Sequence, residues 1–481
     1  MKVGDLSLAF GLCCTLGASL LAAEPAPPAS EAGPQQTAQL YRKLAIPAAC
    51  LTTQAGRTFG GDLRIGDLDG DRRCDFLVYR CRHGAASGAH QGGMKPCFLG
   101  AFERDGTVLW TAGEGGNQPS RPMSVVVHDV LGDQAAEVIC FWHRPRSQDK
   151  ADWQTLVDVV VQIRDGRTGN VLREAAPPEI TSRRRQDPVG ANWVHQRLLV
   201  ANFRGTAIPR DVVVKLGDTY VALDEQLHVL WTYQTPWIKY SQCPAYIPAV
   251  GDIDGDGRDE LNAGYFLLDD DGSPLWERRW ASHMDSVAIT GWDDGKPRAI
   301  GSGGGHVIDT EGNALLALGP REVPHGQEVR VADFRQDRPG PEMVIRNVGH
   351  TPQVLLVGSE HGEILARFAL NASPTNVGME PVFWNGPSQA AVLYNGGWLW
   401  DLQKQRGGPL PGLPPPAGGA VHRMGFYHAI PADLCGDRRE ELVLWDPTAR
   451  FVFLYTNGPL KEAAYQGYRP GPRQYNPRLM D

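Results

Sequence analysis

The sequence is poor in cysteine, in net positive charge and in long apolar runs, and each shortage closes off a class of protein. Nine cysteines stand in 481 residues, without the even, regular spacing that staples small secreted domains. A formal net charge of −8 argues against nucleic acid as the main partner. It leaves room for a locally basic pocket that takes an anionic ligand. The apolar stretch at residues 6–23 falls short of the roughly 20 residues of a comfortable membrane span, so no span is expected.

That stretch follows Lys2 and gives way to "EPAPPASEAGPQQ". It reads as a signal peptide, residues 1–23, followed by a flexible spacer, residues 24–44. A secreted or periplasmic protein is the expectation, with residues 45–481 as one domain and a monomer as the simplest state. Loss of the signal removes Cys13 and Cys14 and leaves Cys50, Cys74, Cys81, Cys97, Cys140, Cys243 and Cys435.

Glycine and proline are plentiful, at 56 and 37 residues, beside 13 tryptophans. They punctuate a repeat. "VGDIDGDGRDEL", residues 250–261, places Asp252, Asp254, Asp256 and Glu260 in a pattern matched by Asp67, Asp69, Asp71 and Asp75 of "IGDLDGDRRCDFLV". Weaker copies keep Asp129, Asp133 and Glu137; Asp333, Asp337 and Glu342; and Asp433, Asp437 and Glu441. Three more keep only the turn: "VANFRGTAIPRDVVV", "ITGWDDGKPRAIG" and "VFWNGPSQAAVLY". Most copies are followed by a hairpin ending in Trp, as in "FERDGTVLW" and "LDDDGSPLW". Loop starts near 67, 129, 202, 252, 292, 333, 384 and 433 predict an all-β propeller of four-stranded blades. Eight units predict eight blades, or seven if the first and last units share one. The Pro-rich run at residues 409–419 has one unit beyond it and reads as an inter-blade loop.

The acidic loops are not EF-hands. An EF-hand needs flanking helices and a bidentate Glu at position twelve, where this chain has Val78 and Ala263. Oxygen donors at positions one, three, five and nine still suit a calcium ion that pins a hairpin. Asp and Gly acting only as turn formers is the plainer alternative, and it is preferred for the degraded copies.

Within each unit, the start of strand one and the end of strand two share the face opposite the acidic loops. Strand-one starts hold His195, Tyr246, His283, His325 and the pair Tyr427 and His428, while strand-two ends hold Arg80, His143, Lys215, Tyr265, His306 and Arg346. Six of these eleven positions are His in a chain with only 13. The pattern predicts a pocket for a negatively charged polymer, with His, Tyr and Arg able to transfer protons beside a carboxylate. His283, His325, His428, Tyr246, Arg346 and His306 are the candidate substrate contacts. Each of these His residues taken alone is equally readable as a hydrogen-bonded loop residue. Cys81, His83, His90 and Cys97 fall within 17 residues and offer either a zinc site or a Cys81–Cys97 disulfide.

"PADLCGDRREELVLWDPTARFVFLYT", "YNPRLMD" and the stretch from "VGDIDGDGRDELNAGYFLLDDDG" to "SHMDSVAI" resemble repeats of the calcium-bearing propeller lyases that cleave rhamnogalacturonan. Related lyases acting on ulvan or on rhamnose and glucuronate linkages share the repeat style. The resemblance implies β-elimination at a uronic acid, with the carboxylate neutralised, a His or Tyr taking the C5 proton and an acid protonating O4. The glucuronate-cleaving members use a His pair, a Tyr and an Arg. His143 is similar to one of that pair, but its unit has Met123 where the strand-one His would stand. His195 stands near the expected Tyr, and Lys215 or Arg210 near the expected Arg. The resemblance thus implies an anionic polysaccharide as substrate, His143 and His195 as the candidates for proton transfer, and Arg80 and Lys215 for carboxylate neutralisation. A non-catalytic FG-GAP or integrin-like propeller that binds glycan or protein is the alternative. The Trp-ending hairpins also resemble quinone-dependent dehydrogenases, but the vicinal cysteine pair of those enzymes is matched only by Cys13 and Cys14.

Overall fold

The computed structural model describes residues 37–82, 95–117, 123–144, 155–184, 196–239, 243–280, 283–370, 378–417, 427–458 and 467–477. Eight four-stranded antiparallel sheets follow one another as the blades of an eight-bladed propeller. All eight predicted loop starts fall between the first and second strands of a blade. Blade 1 runs Asp62–Gly66, Asp75–Arg82, Lys95–Phe102 and Val108–Gly113; blade 4 runs Ala249–Gly251, Glu260–Asn262, Phe266–Leu268 and Pro274–Glu277. The Pro-rich run joins blade 7, ending at Arg406–Pro409, to blade 8.

The first and last units occupy separate blades, so the count is eight. Blade 8 takes His428–Ala432, Glu441–Trp445 and Phe451–Asn457 from the end of the chain and its outermost strand, Ala38–Ala45, from the beginning. This strand corrects the predicted spacer, which was drawn to residue 44: residues 38–45 belong to the ring. Joining the two ends within one sheet removes the seam that an open ring of blades would leave.

Inner and outer strands carry different patterns because they meet different surroundings. Strands one and two are sandwiched between neighbouring blades, so Asp62–Gly66 and Arg197–Ala201 are buried throughout. Arg197–Ala201 is a continuous apolar run after its Arg, whereas Asp62–Gly66 buries Asp62 and Arg64 between its apolar residues. The outer strand Val108–Gly113 is buried chiefly at Trp110.

The Trp-ending hairpins are latches between blades. Trp110 Nε1 donates to the Gly166 carbonyl of blade 2 at 2.6 Å, and Trp231 of blade 3 to the Asp270 carbonyl of blade 4 at 2.8 Å. A side chain on Gly169 or Gly272 would come within 2.5 or 2.6 Å of the Trp ring from the preceding blade, and both glycines have positive φ. Only glycine meets both demands.

The acidic loops fold alike. Asp67 accepts from the amides of Gly70 and Arg72, Asp252 from Gly255 and Gly257, and Asp433 from Gly436 and Arg438. The last acid closes each loop by accepting from its second amide: Asp75 from Leu68, Glu260 from Ile253, Glu441 from Leu434. The channel at the centre is entered by the chain's carboxyl end. A short helix, Pro472–Tyr475, packs against the first strands of blades 1, 2 and 8. Asn476 then bonds both the amide and the carbonyl of Val200 in blade 3.

Candidate functional site

The face opposite the acidic loops carries a compact, partly exposed cluster of titratable groups. His283 and Asp285 precede the first strand of blade 5, Val287–Gly291, and His325 precedes that of blade 6, Glu328–Ala332. The segments before these strands are held by isolated parallel bridges, Ser286 to Ile247 ahead of blade 4 and His325 to Val348 just past the second strand of its own blade. That pairing turns the side chains toward one point. His283 Nε2 lies 3.1 Å from His325 Nε2, and each is 3.2 Å from a carboxylate oxygen of Asp285. The Tyr246 ring stacks on His283 at 6.1 Å.

Exposure grades across the cluster. The His325 side chain is 39% exposed, that of His283 13% and that of Asp285 1%. Burial pushes Asp285 upward, but hydrogen bonds from both imidazoles hold its pKa below the usual carboxylate range. Burial pushes His283 down, and the bond to Asp285 and its charge outweigh that and raise it above the ordinary value. The outcome is an ionised carboxylate clamped between two imidazoles, one of them reaching solvent. Such a group can take up or release a proton near neutrality. The same three residues present ligand atoms within 4.8 Å of one another and could hold a cation.

Beneath Tyr246 lies a second charged layer. Lys215 Nζ donates to the Tyr246 carbonyl at 3.1 Å. Burial, aided by the charge of Arg197 across the strand pair, pushes the lysine down to about 7. Lys215 is 1% exposed, which corrects its expected role: it sits behind Tyr246 and is not placed to meet a substrate carboxylate.

Other predicted residues are supports. Arg80 is buried and donates to the carbonyls of Gly115, Cys50 and Gly60, with its guanidinium over Phe98. It stitches blade 1 and does not face a ligand. Arg346 is wholly buried beside Glu328, and its expected substrate contact is corrected likewise. His143, with a side chain 1% exposed, is locked to Asp158 at 2.9 Å, and Lys95 bonds the other oxygen of that carboxylate. This buried triad corrects His143 as a residue in contact with substrate. His306 opens the third strand of blade 5 rather than ending the second, and it lies 4.2 Å from the ring of Trp280. His428 turns toward Asp62. His195, His83 and His90 lie outside the described residues.

Cys81 and Cys97 are buried free thiols, which corrects the disulfide expectation. A bulge after Arg80 sets Pro96, not Cys97, opposite Cys81.

Asp285 was missed, although an acid two residues after His283 in "SHMDS" was there to be noticed. Trp280 and Arg278 were missed as well. They follow the outer strand of blade 4, with the Arg278 guanidinium 5.4 Å from the Trp280 ring and Trp280 Nε1 bonded to the Gly264 carbonyl. Among the described residues, further groups able to hold a cation lie in the loops at Asp67, Asp69 and Asp71; Asp252, Asp254 and Glu260; Asp269, Asp270 and Asp271; and Asp433, Cys435 and Glu441.

No protein-family model matches the sequence. The solved structure of rhamnogalacturonan lyase YesW superimposes with a TM-score of 0.67 at 18% identity, over 90% of this chain and 77% of that one. This chain shares the propeller fold of the rhamnogalacturonan lyases. In sequence it is 22% identical to the endolyase YesW of Bacillus subtilis (strain 168) over 465 residues, 84% of this chain and 69% of that protein. It is 24% identical to the exolyase YesX of the same organism over 255 residues, 47% of this chain. That match spans only 41% of the exolyase's length. The V. cholerae biofilm matrix protein Bap1 also superimposes, with a TM-score of 0.58 at 12% identity, over 91% of this chain and 93% of that one. Among the described residues no helix is long and apolar enough to cross a membrane.

Proposed function

We propose that this protein is an exported polysaccharide lyase that cleaves a uronic-acid-containing polymer, of rhamnogalacturonan or rhamnose–glucuronate type, by β-elimination. The observation that carries the reading is the convergence of His283, Asp285 and His325 on one face of a propeller whose fold is that of rhamnogalacturonan lyases. His325, the more exposed imidazole, takes the C5 proton of the uronate. The electron pair of that C–H bond forms the C4=C5 double bond, and the C4–O4 bond breaks. His283, whose pairing with Asp285 favours its protonated form, delivers a proton to the departing O4. Asp285 holds both rings and balances the charge that passes between them. Arg278 beside Trp280 is the exposed guanidinium suited to the substrate carboxylate.

The acidic loops fit calcium as a structural ion. Glu260 Oε1 is buried without a hydrogen-bond partner, in the same loop as Asp252 and Asp254. Asp67, Asp69 and Asp71 would hold a second ion, in the loop that Asp75 closes. Calcium there would pin each hairpin from oxygen donors.

The test is to incubate the protein with uronic-acid polysaccharides and read ultraviolet absorbance from the unsaturated product. A second reading, a glycan-binding propeller without catalysis, is favoured by the burial of Arg80, Arg346 and Lys215, the cations first expected to face substrate. Retained polymer binding with no new absorbance would decide for it.

A further inference from the structure

An aromatic band runs outward from the His cluster on the ligand face, over the seams between blades 3, 4 and 5. The fourth strand of each blade ends on this face. In blade 3 that strand, Val229–Gln234, carries Tyr233, and Trp237 follows it; in blade 4 Trp280 follows Pro274–Glu277 at the same distance along the chain. The rings meet across the seams. Tyr233 lies 4.6 Å from Phe266, and Trp237 packs edge to face on Tyr265 at 5.6 Å. The Tyr265 hydroxyl donates to the Trp280 carbonyl at 3.1 Å, and the Trp280 ring lies 4.2 Å from that of His306 in blade 5. Tyr233, Trp237 and Trp280 are half-buried, so each shows part of its ring to solvent.

The inner end of the band adjoins the cluster. Trp280 Nε1 donates to the Gly264 carbonyl, and a side chain on Gly264 would come within 2.6 Å of Met284, which follows His283. The band is also basic. Arg278 is exposed beside the Trp280 ring, and among the described residues its guanidinium is paired with no carboxylate. Arg279 and Lys239 are exposed as well. The acids nearby are engaged: Glu277 accepts from the Tyr233 hydroxyl, and Asp218 from the Gln234 amide. Half-exposed indoles offer flat apolar faces to the C–H faces of pyranose rings, and a guanidinium fork matches a carboxylate.

We propose that this band is a binding track for an extended stretch of acidic polysaccharide, with Trp280 and Trp237 each stacking a sugar ring and Arg278 pairing with a uronate carboxylate. The assignment rests on the lyase reading for its ligand class. A track that crosses two blade seams engages sugars beyond those at the cleaved bond, so affinity should grow with chain length.

The experiment is titration calorimetry of the full chain carrying His325→Ala, so that no sugar is consumed. The probes are the tetrasaccharide and octasaccharide of alternating L-rhamnose and D-galacturonate, with maltooctaose as the neutral control. The octasaccharide should bind about tenfold more tightly than the tetrasaccharide, and maltooctaose should not bind. Trp237→Ala, at the outer end, should bring the octasaccharide down to the affinity of the tetrasaccharide and leave the tetrasaccharide unchanged, while Trp237→Phe restores part of the loss. Arg278→Glu, a change at an exposed side chain, should weaken both. Circular dichroism checks the fold of each variant. The proposal is overturned if neither acidic probe binds, if the two lengths bind alike, if maltooctaose binds as tightly as the octasaccharide, or if Trp237→Ala and Arg278→Glu bind the octasaccharide as their parent does. Polymer cleavage is read separately with His325 in place. Cleavage whose KM ignores Trp237→Ala removes the track and leaves the lyase standing, whereas length-dependent binding that needs Trp237 without any cleavage keeps the track and removes the lyase.

Discussion

His283 and His325, forty-two residues apart in sequence, bring their Nε2 atoms to 3.1 Å across the boundary between blades 5 and 6, and Asp285 bonds both. Neither ring has this setting without the other's blade. If the pair performs the proton transfers, His325→Ala should cut kcat by about 10²–10⁴-fold. Asp285→Asn, which keeps the shape and removes the charge, should lower kcat while leaving KM near the wild-type value. Full activity in either variant would place the chemistry elsewhere.

Lys215 permits a test that needs no substrate. Its pKa in the folded chain is about 7, against roughly 10.4 for an unperturbed lysine. Between those values the unfolded chain binds the extra proton, so stability should rise as pH rises from 7 toward 10. Lys215→Met should flatten that slope. Thermal melts of the two proteins across this range decide it, and parallel slopes would mean that the amine is not strained by burial.

The eight loops were legible because their acids have backbone work to do. Asp67, Asp252 and Asp433 each satisfy at least two loop amides, and five of the eight copies keep both the first acid and the last, while those at 202, 292 and 384 show only as a turn between apolar strands. The closing strand was illegible for the opposite reason. Ala38–Ala45 is mostly exposed at the rim and reads "AQLYRKLA", with no apolar face to announce a strand. The site was half legible. The strand-end His positions were found, but burial was not, because strand-two ends lie between neighbouring blades. Arg80, His143 and Arg346 are enclosed there by groups the local sequence does not reveal, among them the carbonyls of Cys50 and Gly60 and the carboxylate of Asp158.

Calcium should stabilise this fold without entering the chemistry. Ions on the loops at Asp67 and Asp252 would each raise unfolding free energy by about 2.7 kcal/mol at a hundredfold excess over Kd. A chelator should therefore lower the melting temperature, and added calcium should restore it. Asp252→Asn should shrink the calcium-dependent part of that shift. A melting temperature indifferent to both chelator and calcium would leave the loops as hydrogen-bonded turns.

The carboxyl end offers the sharpest test of how the ring is held. Asn476 satisfies the Val200 amide at 2.8 Å and its carbonyl at 2.7 Å, in a strand buried throughout. Asn476→Ala leaves both groups buried and unpaired, at a cost of about 1–3 kcal/mol each. The neighbouring contacts of Arg473 with Glu440 and of Tyr475 with His128 would remain to hold the helix in the channel. The loss should therefore fall chiefly on blade 3. Hydrogen exchange should show faster exchange at residues 197–201, with blade 6 unchanged. Uniform exchange across all blades would show that the tail acts on the ring as a whole, and no change at all would show that water replaces the Asn476 amide.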